Sequence, residues 1–303
     1  MINLLGRKQS GLHYVAMSRL ISHTGLQLRN FRKQDIVACS EVTKEYERLR
    51  TQARLPLKIP QLQQLGNHHF VITAINARSL HSNIDNIRAD HNMLQSNLIL
   101  ATESWANRTD SDNHYRIPGF HMERRDNSSV SFEQRPHRGI VAYYKSCEFR
   151  VVHTTSHINC DIMCTTVTTE YLALNVIIVY RSPQLAMQAF LQLLHEGMQA
   201  LPAANPCVIL GDFNVDIKGM NADTALKLAY QDSEHHLKAL VQFMFQANLT
   251  QMLSASTVDS GMQIDHVWSD LSSRLQHMSI TPFVLEAFYS DHRPIGLQIT
   301  SPE

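Results

Sequence analysis

From residue 69 to its end, the chain alternates short apolar runs of strand length with turn-rich stretches and amphipathic helices. This alternation constrains the fold more than any other feature. The first run, HFVITAI (69–75), precedes a stretch with Ile84, Ile87 and Leu94 at helical spacing, which predicts helical structure there. Five strand-like runs follow between residues 119 and 180, separated by turn-rich segments, and their order predicts a meander.

The second half of the chain adds helices around a strongly apolar strand. An amphipathic helix is predicted from about Met187, and a second is predicted over about 233–247. Between them, CVIL (207–210) is apolar at every position, which is typical of a strand buried on both faces. The last strands are predicted near 264–268, 277–284 and 295–299. This order predicts an α/β fold, a four-layer sandwich of two packed mixed sheets flanked by helices.

The first sixty residues differ from the rest in charge. Residues 1–60 carry eleven Lys and Arg against four Asp and Glu, whereas residues 61–303 carry sixteen against twenty-three. The segments therefore have net charges of +7 and −7. A basic segment is compatible with contact to nucleic acid or with an ordinary solvated surface. The stretch RLPLKIPQLQQLGNHH has two prolines and little periodicity, which predicts a linker. We predict an N-terminal segment at 1–55, a linker at 56–67 and a main domain at 68–303.

Polar side chains recur where the predicted strands end. Asp212 and Asn214 follow CVIL two positions apart, so an extended backbone would point both to one face. Others at strand ends are Asn76, Glu103, Tyr180, Asp265, Asp291 and His292. Each alone could be an ordinary turn residue. Together they fit phosphodiester hydrolysis, which uses a hard cation held by carboxylates, a base for the attacking water and donors to the phosphate.

Eight motifs, in order, carry a resemblance to a known family. They are NARSLHSNIDNIR (76–88), ATESW (101–105), YRIPGFHMERRD (115–126), HRGIVAYY (137–144), VYRSP (179–183), GDFNVD (211–216), STVDSGMQIDHVW (256–268) and SDHRP (290–294). They resemble the exonuclease–endonuclease–phosphatase family and, more narrowly, the apurinic-endonuclease-like domains of non-LTR retrotransposons. The resemblance covers about residues 68–300.

The resemblance implies a divalent metal, Mg²⁺ with Mn²⁺ as a substitute. Glu103 would be the principal ligand, with Asn76 nearby and Asp291 as a candidate second ligand.

The resemblance also implies catalytic roles. Asp212 would orient and deprotonate the attacking water, while Asn214 would hold that water or the phosphate. His292 would donate to a non-bridging phosphate oxygen, with its tautomer and orientation fixed by Asp265. Tyr180 would help stabilise the phosphate or the leaving oxygen.

Arginines near these motifs have two interpretations. Arg181 could contact a neighbouring phosphate or be an ordinary surface arginine. The group formed by Arg124, Arg125, Arg135 and Arg138 could offset the negative charge of the main domain when a polyanion binds.

The N-terminal segment carries a second resemblance. GLHYVAMSRLISHTGLQLRNF (11–31) and VTKEYERLR (42–50) resemble the C-terminal end of superfamily 1 DNA helicases of the Helitron kind. Arg19 would be the arginine that contacts the γ-phosphate of ATP. Such helicases also need a phosphate-binding loop ending in Gly-Lys, and the chain contains no Gly-Lys pair. We therefore expect a helicase remnant and no ATP hydrolysis by this chain alone. The alternative is a chance match on an amphipathic segment.

These observations predict a Mg²⁺-dependent DNA endonuclease of transposable-element origin that nicks one strand. DNA is the expected partner, and a nuclear location follows from that substrate. No membrane association is expected, because the longest apolar stretch, Tyr171–Tyr180, is about half the length of a membrane span. One alternative keeps the fold and acts on a phospholipid, an inositol phosphate or RNA. Another is an inactive transposon-derived fragment.

Overall fold

The computed structural model describes residues 2–3, 28–29, 44, 69–126, 138–218 and 235–302. The chain divides into two compact units, Met1–Ile59 and Pro60–Glu303. In the first unit, β1 (Ile2–Asn3) pairs in parallel with β2 (Leu28–Arg29). Most of the helicase-like segment, including Arg19, lies outside the described residues. Its assignment and the boundaries at 55 and 67 stay predictions.

The described part of the second unit contains two six-stranded mixed sheets. The β3 sheet has the spatial order β13 (Ser279–Val284), β14 (Ile295–Thr300), β3 (His69–Asn76), β4 (Leu98–Thr102), β6 (Ile140–Tyr144) and β5 (His121–Arg125). The β10 sheet has the order β11 (Thr250–Gln251), β12 (Asp265–Ser269), β10 (Cys207–Asp212), β9 (Ala173–Arg181), β8 (Cys160–Thr168) and β7 (Glu148–His157).

Helices cover the outer face of each sheet. The described helices are α1 (Leu80–Ala89), α2 (His91–Leu94), α3 (Asp112–Tyr115), α4 (Met187–Gln199), α5 (His235–Gln246) and α6 (Leu271–Arg274). Side chains of α1, α2 and α3 pack with the β3 sheet, and those of α4 and α5 pack with the β10 sheet. None of the described helices is long and apolar enough to cross a membrane.

The alternation of side chains along β9 explains the layers. Val176 and Ile178 point into the core between the two sheets, whereas Ile177 and Val179 point into the core beneath the helices. Because successive strand residues face opposite sides, an uninterrupted apolar run can serve both cores at once. The α/β fold and the predicted four-layer sandwich are confirmed.

One local prediction was wrong. The five runs predicted as a meander belong to different sheets, because β5 and β6 lie in the β3 sheet while β7, β8 and β9 lie in the β10 sheet. The stretch from Ile84 to Leu94 is helical as predicted, and it is divided into two helices because Asp90 has an extended backbone and its side chain accepts from the backbone N–H groups of Asn92 and Met93. That side chain caps the second helix and ends the first.

The topology brings several strand ends to one end of the sandwich, here called the polar end. Strands β3 and β4 are parallel and finish there, as do the parallel strands β9 and β10. Strand β12 runs antiparallel to β10, and β14 runs antiparallel to β3, so both begin there. A side-chain hydrogen bond between Asn76 and Asp212 joins the two sheets at this end.

Candidate active site

Asn76, the last residue of β3, lies at the centre of the polar end and is 2% exposed. Its Nδ2 donates to Glu103 Oε1 and to Asp212 Oδ2, at 2.9 Å in both cases. Its Oδ1 accepts from the backbone N–H of Arg78 at 3.1 Å. A single carboxamide therefore joins two carboxylates from different sheets and fixes the chain that follows β3.

Glu103 follows β4 in a left-handed backbone conformation, with φ of 47°. Its carbonyl accepts from the backbone N–H of Ser79 at 2.9 Å, and Trp105 Nε1 donates to its Oε2 at 3.4 Å. The hydroxyl of Tyr180 also lies near the Glu103 carboxylate. Burial raises the pKa of Tyr180, and the charges of Glu103 and Asp212 raise it further, so this phenol stays a hydrogen-bond donor.

Asp212 ends β10 and is 1% exposed. It lies in a row of paired residues that crosses four strands: Asp161 on β8, Tyr180 on β9, Asp212 on β10 and Asp265 on β12. Burial raises the pKa of Asp212, and the charge of Asp265 raises it further, while His292 and the donor from Asn76 lower it. A carboxylate with a raised pKa at a buried position is suited to accept a proton.

Gly211 makes the close approach of β10 to β9 possible. Its φ is +130°, and a Cβ at this position would lie 2.1 Å from the carbonyl oxygen of Val179. Any other residue would push the strands apart at the point where Asp212 is presented.

Asp212 and Asn214 are close, but not for the predicted reason. The strand ends at Asp212, and Asn214 has φ of 50°, so the two residues do not share one extended face. The backbone N–H of Asn214 instead donates to Asp212 Oδ1 at 2.9 Å, which closes an Asx-type turn. The Asn214 side chain donates to the carbonyl of Arg181 at 2.8 Å.

His292 and Asp265 form a buried pair beside Asp212. His292 Nδ1 lies 2.9 Å and 3.1 Å from the two carboxylate oxygens of Asp265. The Asp265 backbone N–H donates to the hydroxyl of Thr257 at 3.0 Å, which holds the start of β12 in place. Burial lowers the pKa of His292, but the hydrogen bond and charge of Asp265, followed by other nearby aspartates, raise it to about 9 overall.

The donor set of this cluster fits a hard divalent cation. One ligand atom each from Asp212, Asp265 and His292 lie within 4.8 Å of one another. Asn76 connects Glu103 to the same group, so three carboxylates meet one imidazole. Oxygen donors with surplus negative charge are what Mg²⁺ and Mn²⁺ prefer.

Asp291, the candidate second metal ligand, is placed differently. Its carboxylate forms an ion pair with the guanidinium of Arg78, and the two side chains are 46% and 55% exposed. The sequence analysis assigned no role to Arg78, although it stands in the first of the family motifs. Its proximity to Asp291 depends on folding across 213 positions of sequence.

Arg181 is neither a surface arginine nor placed to contact a phosphate, so both interpretations of it were wrong. Its guanidinium is buried and donates to the carbonyls of Phe213 and Leu185, at 3.0 Å and 2.7 Å. It therefore holds the chain that follows Asp212.

The predicted basic cluster is largely internal. Arg124 is ion-paired with Asp112 and Asp126, and Arg138 is ion-paired with Asp161. Arg125 is half exposed and faces Glu123, while Arg135 lies outside the described residues. These side chains stabilise the fold at the polar end more than they present charge to solvent.

Solved structures of low sequence identity share this fold. The endonuclease domain of TRAS1, a telomere-specific non-LTR retrotransposon, matches with a TM-score of 0.54 at 12% identity, covering 78% of this chain and 100% of that one. The human Nocturnin catalytic domain matches with a TM-score of 0.52 at 12% identity, covering 80% and 99%. AP endonuclease LMAP from Leishmania major matches with a TM-score of 0.53 at 13% identity, covering 78% and 89%.

Sequence comparison gives the family. No curated protein matches the chain significantly. The sequence model of the Endonuclease/Exonuclease/phosphatase family matches residues 21–292, which is most of the chain and includes all the residues of the polar end described above. With this match over most of its length and the shared fold, the chain belongs to the Endonuclease/Exonuclease/phosphatase family.

Proposed function

We propose that the protein is a Mg²⁺-dependent DNA endonuclease that nicks one strand by attack of water at phosphorus. The observation that carries the proposal is the convergence of strand-end residues spread from position 76 to position 292. Hydrogen bonds link Glu103 to Asn76 and Asn76 to Asp212, and Asp212 adjoins the Asp265–His292 pair.

Glu103 and Asn76 are the residues we assign to the metal, and the oxygen-rich, negatively charged surroundings suit Mg²⁺ or Mn²⁺. When bound, such an ion polarises the phosphate and stabilises the charge that develops on its oxygens. The two carboxylates that accept from the Asn76 carboxamide, those of Glu103 and Asp212, bring negative charge together at this point and support the assignment.

Asp212 accepts the proton of the attacking water in this mechanism. Two donors, from Asn76 and from the backbone of Asn214, orient its carboxylate. Its raised pKa suits a base that works near neutral pH. Asn214 holds the water or the phosphate next to that carboxylate.

His292 donates to a phosphate oxygen. Its Nδ1–H donates a hydrogen bond to the Asp265 carboxylate, which can only accept. Its Nε2 is therefore the nitrogen that can face the substrate. The Tyr180 hydroxyl, which stays protonated, is a further donor for the phosphate or the leaving oxygen.

The same proposal includes a transposable-element origin and a nuclear location. The motif wording from NARSL to SDHRP supports a retrotransposon-type endonuclease, and the helicase-like wording of residues 11–50 supports a Helitron relative. The retrotransposon endonuclease among the structural neighbours agrees with the first of these.

A plasmid assay tests the function. The full chain is incubated with supercoiled plasmid, with Mg²⁺ and with chelator, beside His292→Ala and a control, His195→Ala, on the exposed surface of α4. We expect Mg²⁺-dependent nicking that falls roughly 10²–10³-fold in His292→Ala, because a donor to the developing charge is lost. His195→Ala should nick at the wild-type rate.

Equal nicking by wild type and His292→Ala would contradict the mechanism. If the wild-type protein does not cleave DNA but hydrolyses a phosphorylated lipid, an inositol phosphate or RNA, that compound replaces DNA as the proposed substrate. Inertness on all of them would identify an inactive fragment.

A further inference from the structure

Two chain segments meet beside the polar end and form what we call the rim: Arg78–Ser79 and Phe288–Asp291. The first segment is fixed to the site by its backbone. The N–H of Arg78 donates to Asn76 Oδ1 at 3.1 Å, and the N–H of Ser79 donates to the Glu103 carbonyl at 2.9 Å. Arg78 and Ser79 have φ values of 38° and 84°. Consecutive left-handed residues other than glycine are uncommon and occur where surrounding contacts hold them.

The second segment is anchored at several points and still exposes an aromatic ring. Ser290 Oγ donates to the Asn76 carbonyl at 2.8 Å, and Tyr289 donates through its hydroxyl to Asp90 at 2.9 Å. Phe288 packs edge-on against Tyr289, with ring centroids 5.5 Å apart, yet its side chain is 89% exposed. Phe288 and Ser290 are two positions apart in the chain, a span of at most about 7 Å. The loop therefore exposes an apolar ring two positions from the residue that anchors it to Asn76.

The cation of the rim is held loosely compared with other arginines of the polar end. Arg138 and Arg181 are buried and donate to internal acceptors. The Arg78 guanidinium is half exposed and pairs with the half-exposed Asp291. An ion pair in such a position contributes little in water, so Arg78 can exchange its carboxylate for another anion at small cost.

We propose that a DNA strand lies along the rim, with one phosphate bound by Arg78 in place of Asp291 and one unstacked base lying on Phe288. This inference rests on the proposed endonuclease function and narrows its substrate to DNA with an unpaired base at the site. A cation for the backbone and an aromatic face for a base are the two elements of single-strand recognition. Asp291 is then the counter-ion of Arg78 in the free protein and is not a metal ligand.

Binding in chelator tests Arg78 without cleavage. A fluorescent single-stranded oligonucleotide is titrated with the full chain over a range of salt concentrations. Arg78→Ala should reduce the slope of log affinity against log salt by about 1, because one phosphate contact is lost. Arg78→Lys should restore most of the slope. The control is Arg150→Ala, an exposed arginine on β7 at the other end of the sandwich, and it should bind like wild type.

The aromatic contact has its own matched control. Phe288→Ala should weaken binding of single-stranded DNA on the order of tenfold, and Phe288→Trp should restore it, because stacking tolerates any flat ring. Fully paired duplex should be affected less. Phe245→Ala removes another exposed ring, 60% exposed on α5 in the outer helix layer, and should leave binding unchanged.

Asp291→Ala separates the two roles of that carboxylate. As the counter-ion of Arg78, its removal should tighten DNA binding in chelator by up to about fivefold. Unchanged or weaker binding would overturn this assignment. If Arg78→Ala and Phe288→Ala bind DNA like their controls, the proposal that DNA lies along the rim is overturned. The proposed endonuclease function would still be supported by Mg²⁺-dependent plasmid nicking by the wild type. A wild-type protein that does not nick plasmid would instead contradict the proposed function.

Discussion

Asp161 and Asp212 are both buried carboxylates of the β10 sheet, and they flank Tyr180 in the same row of paired residues. Burial raises the pKa of each. They differ in the charged groups that lie beside each carboxylate. Asp161 accepts from Arg138 Nη2 at 2.9 Å and from the backbone N–H of Gly139 at 3.1 Å, and both contacts lower its pKa. Asp212 faces the carboxylate of Asp265, which raises its pKa further.

The difference separates a structural carboxylate from the one that we propose to be catalytic. At Asp161, a guanidinium and a backbone donor complete the electrostatics within the protein. At Asp212, two amide donors orient the carboxylate, but a second carboxylate lies where a cation would be expected. A buried site that is electrostatically incomplete without its ligands is typical of catalysis. Substitutions of Asp161 or of its partner Arg138 should therefore lower the free energy of unfolding. Substitutions of Asp212 should instead lower activity.

Asp212→Asn gives the largest expected effect. We expect the nicking rate to fall roughly 10²–10⁴-fold, because the proposed base for the attacking water is lost. Stability should change little, because losing the acceptor for Asn76 and relieving repulsion against Asp265 act in opposite directions. The checks are single-turnover nicking and a thermal melt in chelator, where Tm should stay within about 4 °C of wild type.

A large drop in Tm for Asp212→Asn with little loss of rate would reverse the comparison. It would make Asp212 a structural residue like Asp161. A matched measurement on Asp216→Asn, an exposed aspartate four positions along the chain, controls for the general effect of removing a negative charge from this loop.

Much of the fold could be predicted from the sequence, because its signals are local. The runs around Ile72 and Ile177 show the apolar pattern of doubly buried strands, and α4 shows a clear apolar stripe. Polar residues at strand ends indicated the candidate site, because parallel neighbours finish at one edge of a sheet. The sheet to which β7 belongs could not be predicted, since leaving one sheet for the other depends on packing between distant strands.

The partners of charged residues were harder to predict than their positions. Nothing near Arg138 in sequence indicates that it is buried against Asp161, 23 positions away. Arg181 follows a strand end, as a phosphate-binding residue would, but it points back to backbone carbonyls. Burial of a guanidinium is decided by tertiary packing, which the local sequence pattern does not reveal. For the same reason the exposed Arg78 was not singled out.

Arg138→Met tests the structural side of the comparison. It removes the cation and leaves the Asp161 carboxylate buried without its ion-pair partner, which should cost about 3 kcal/mol of unfolding free energy. That corresponds to a decrease in Tm of roughly 6–12 °C for a domain of this size. Nicking per folded molecule, measured well below Tm, should change little. An unchanged Tm would mean that Asp161 does not depend on Arg138.

The smallest effect is expected when both charges of that pair are removed together. In the double variant Arg138→Met and Asp161→Asn, the new carboxamide can still accept from the Gly139 N–H, and no buried charge remains. The His157 carbonyl loses its guanidinium donor, which should cost about 1 kcal/mol. The double variant should therefore melt above Arg138→Met, and in a cycle closed with Asp161→Asn its loss should fall short of the sum of the two single losses by at least about 2 kcal/mol. Strictly additive losses would mean that the pair does not act as a unit. Neutral residues at both Asp212 and Asp265 should not restore activity in the same way. They would remove the surplus negative charge that the proposed chemistry requires.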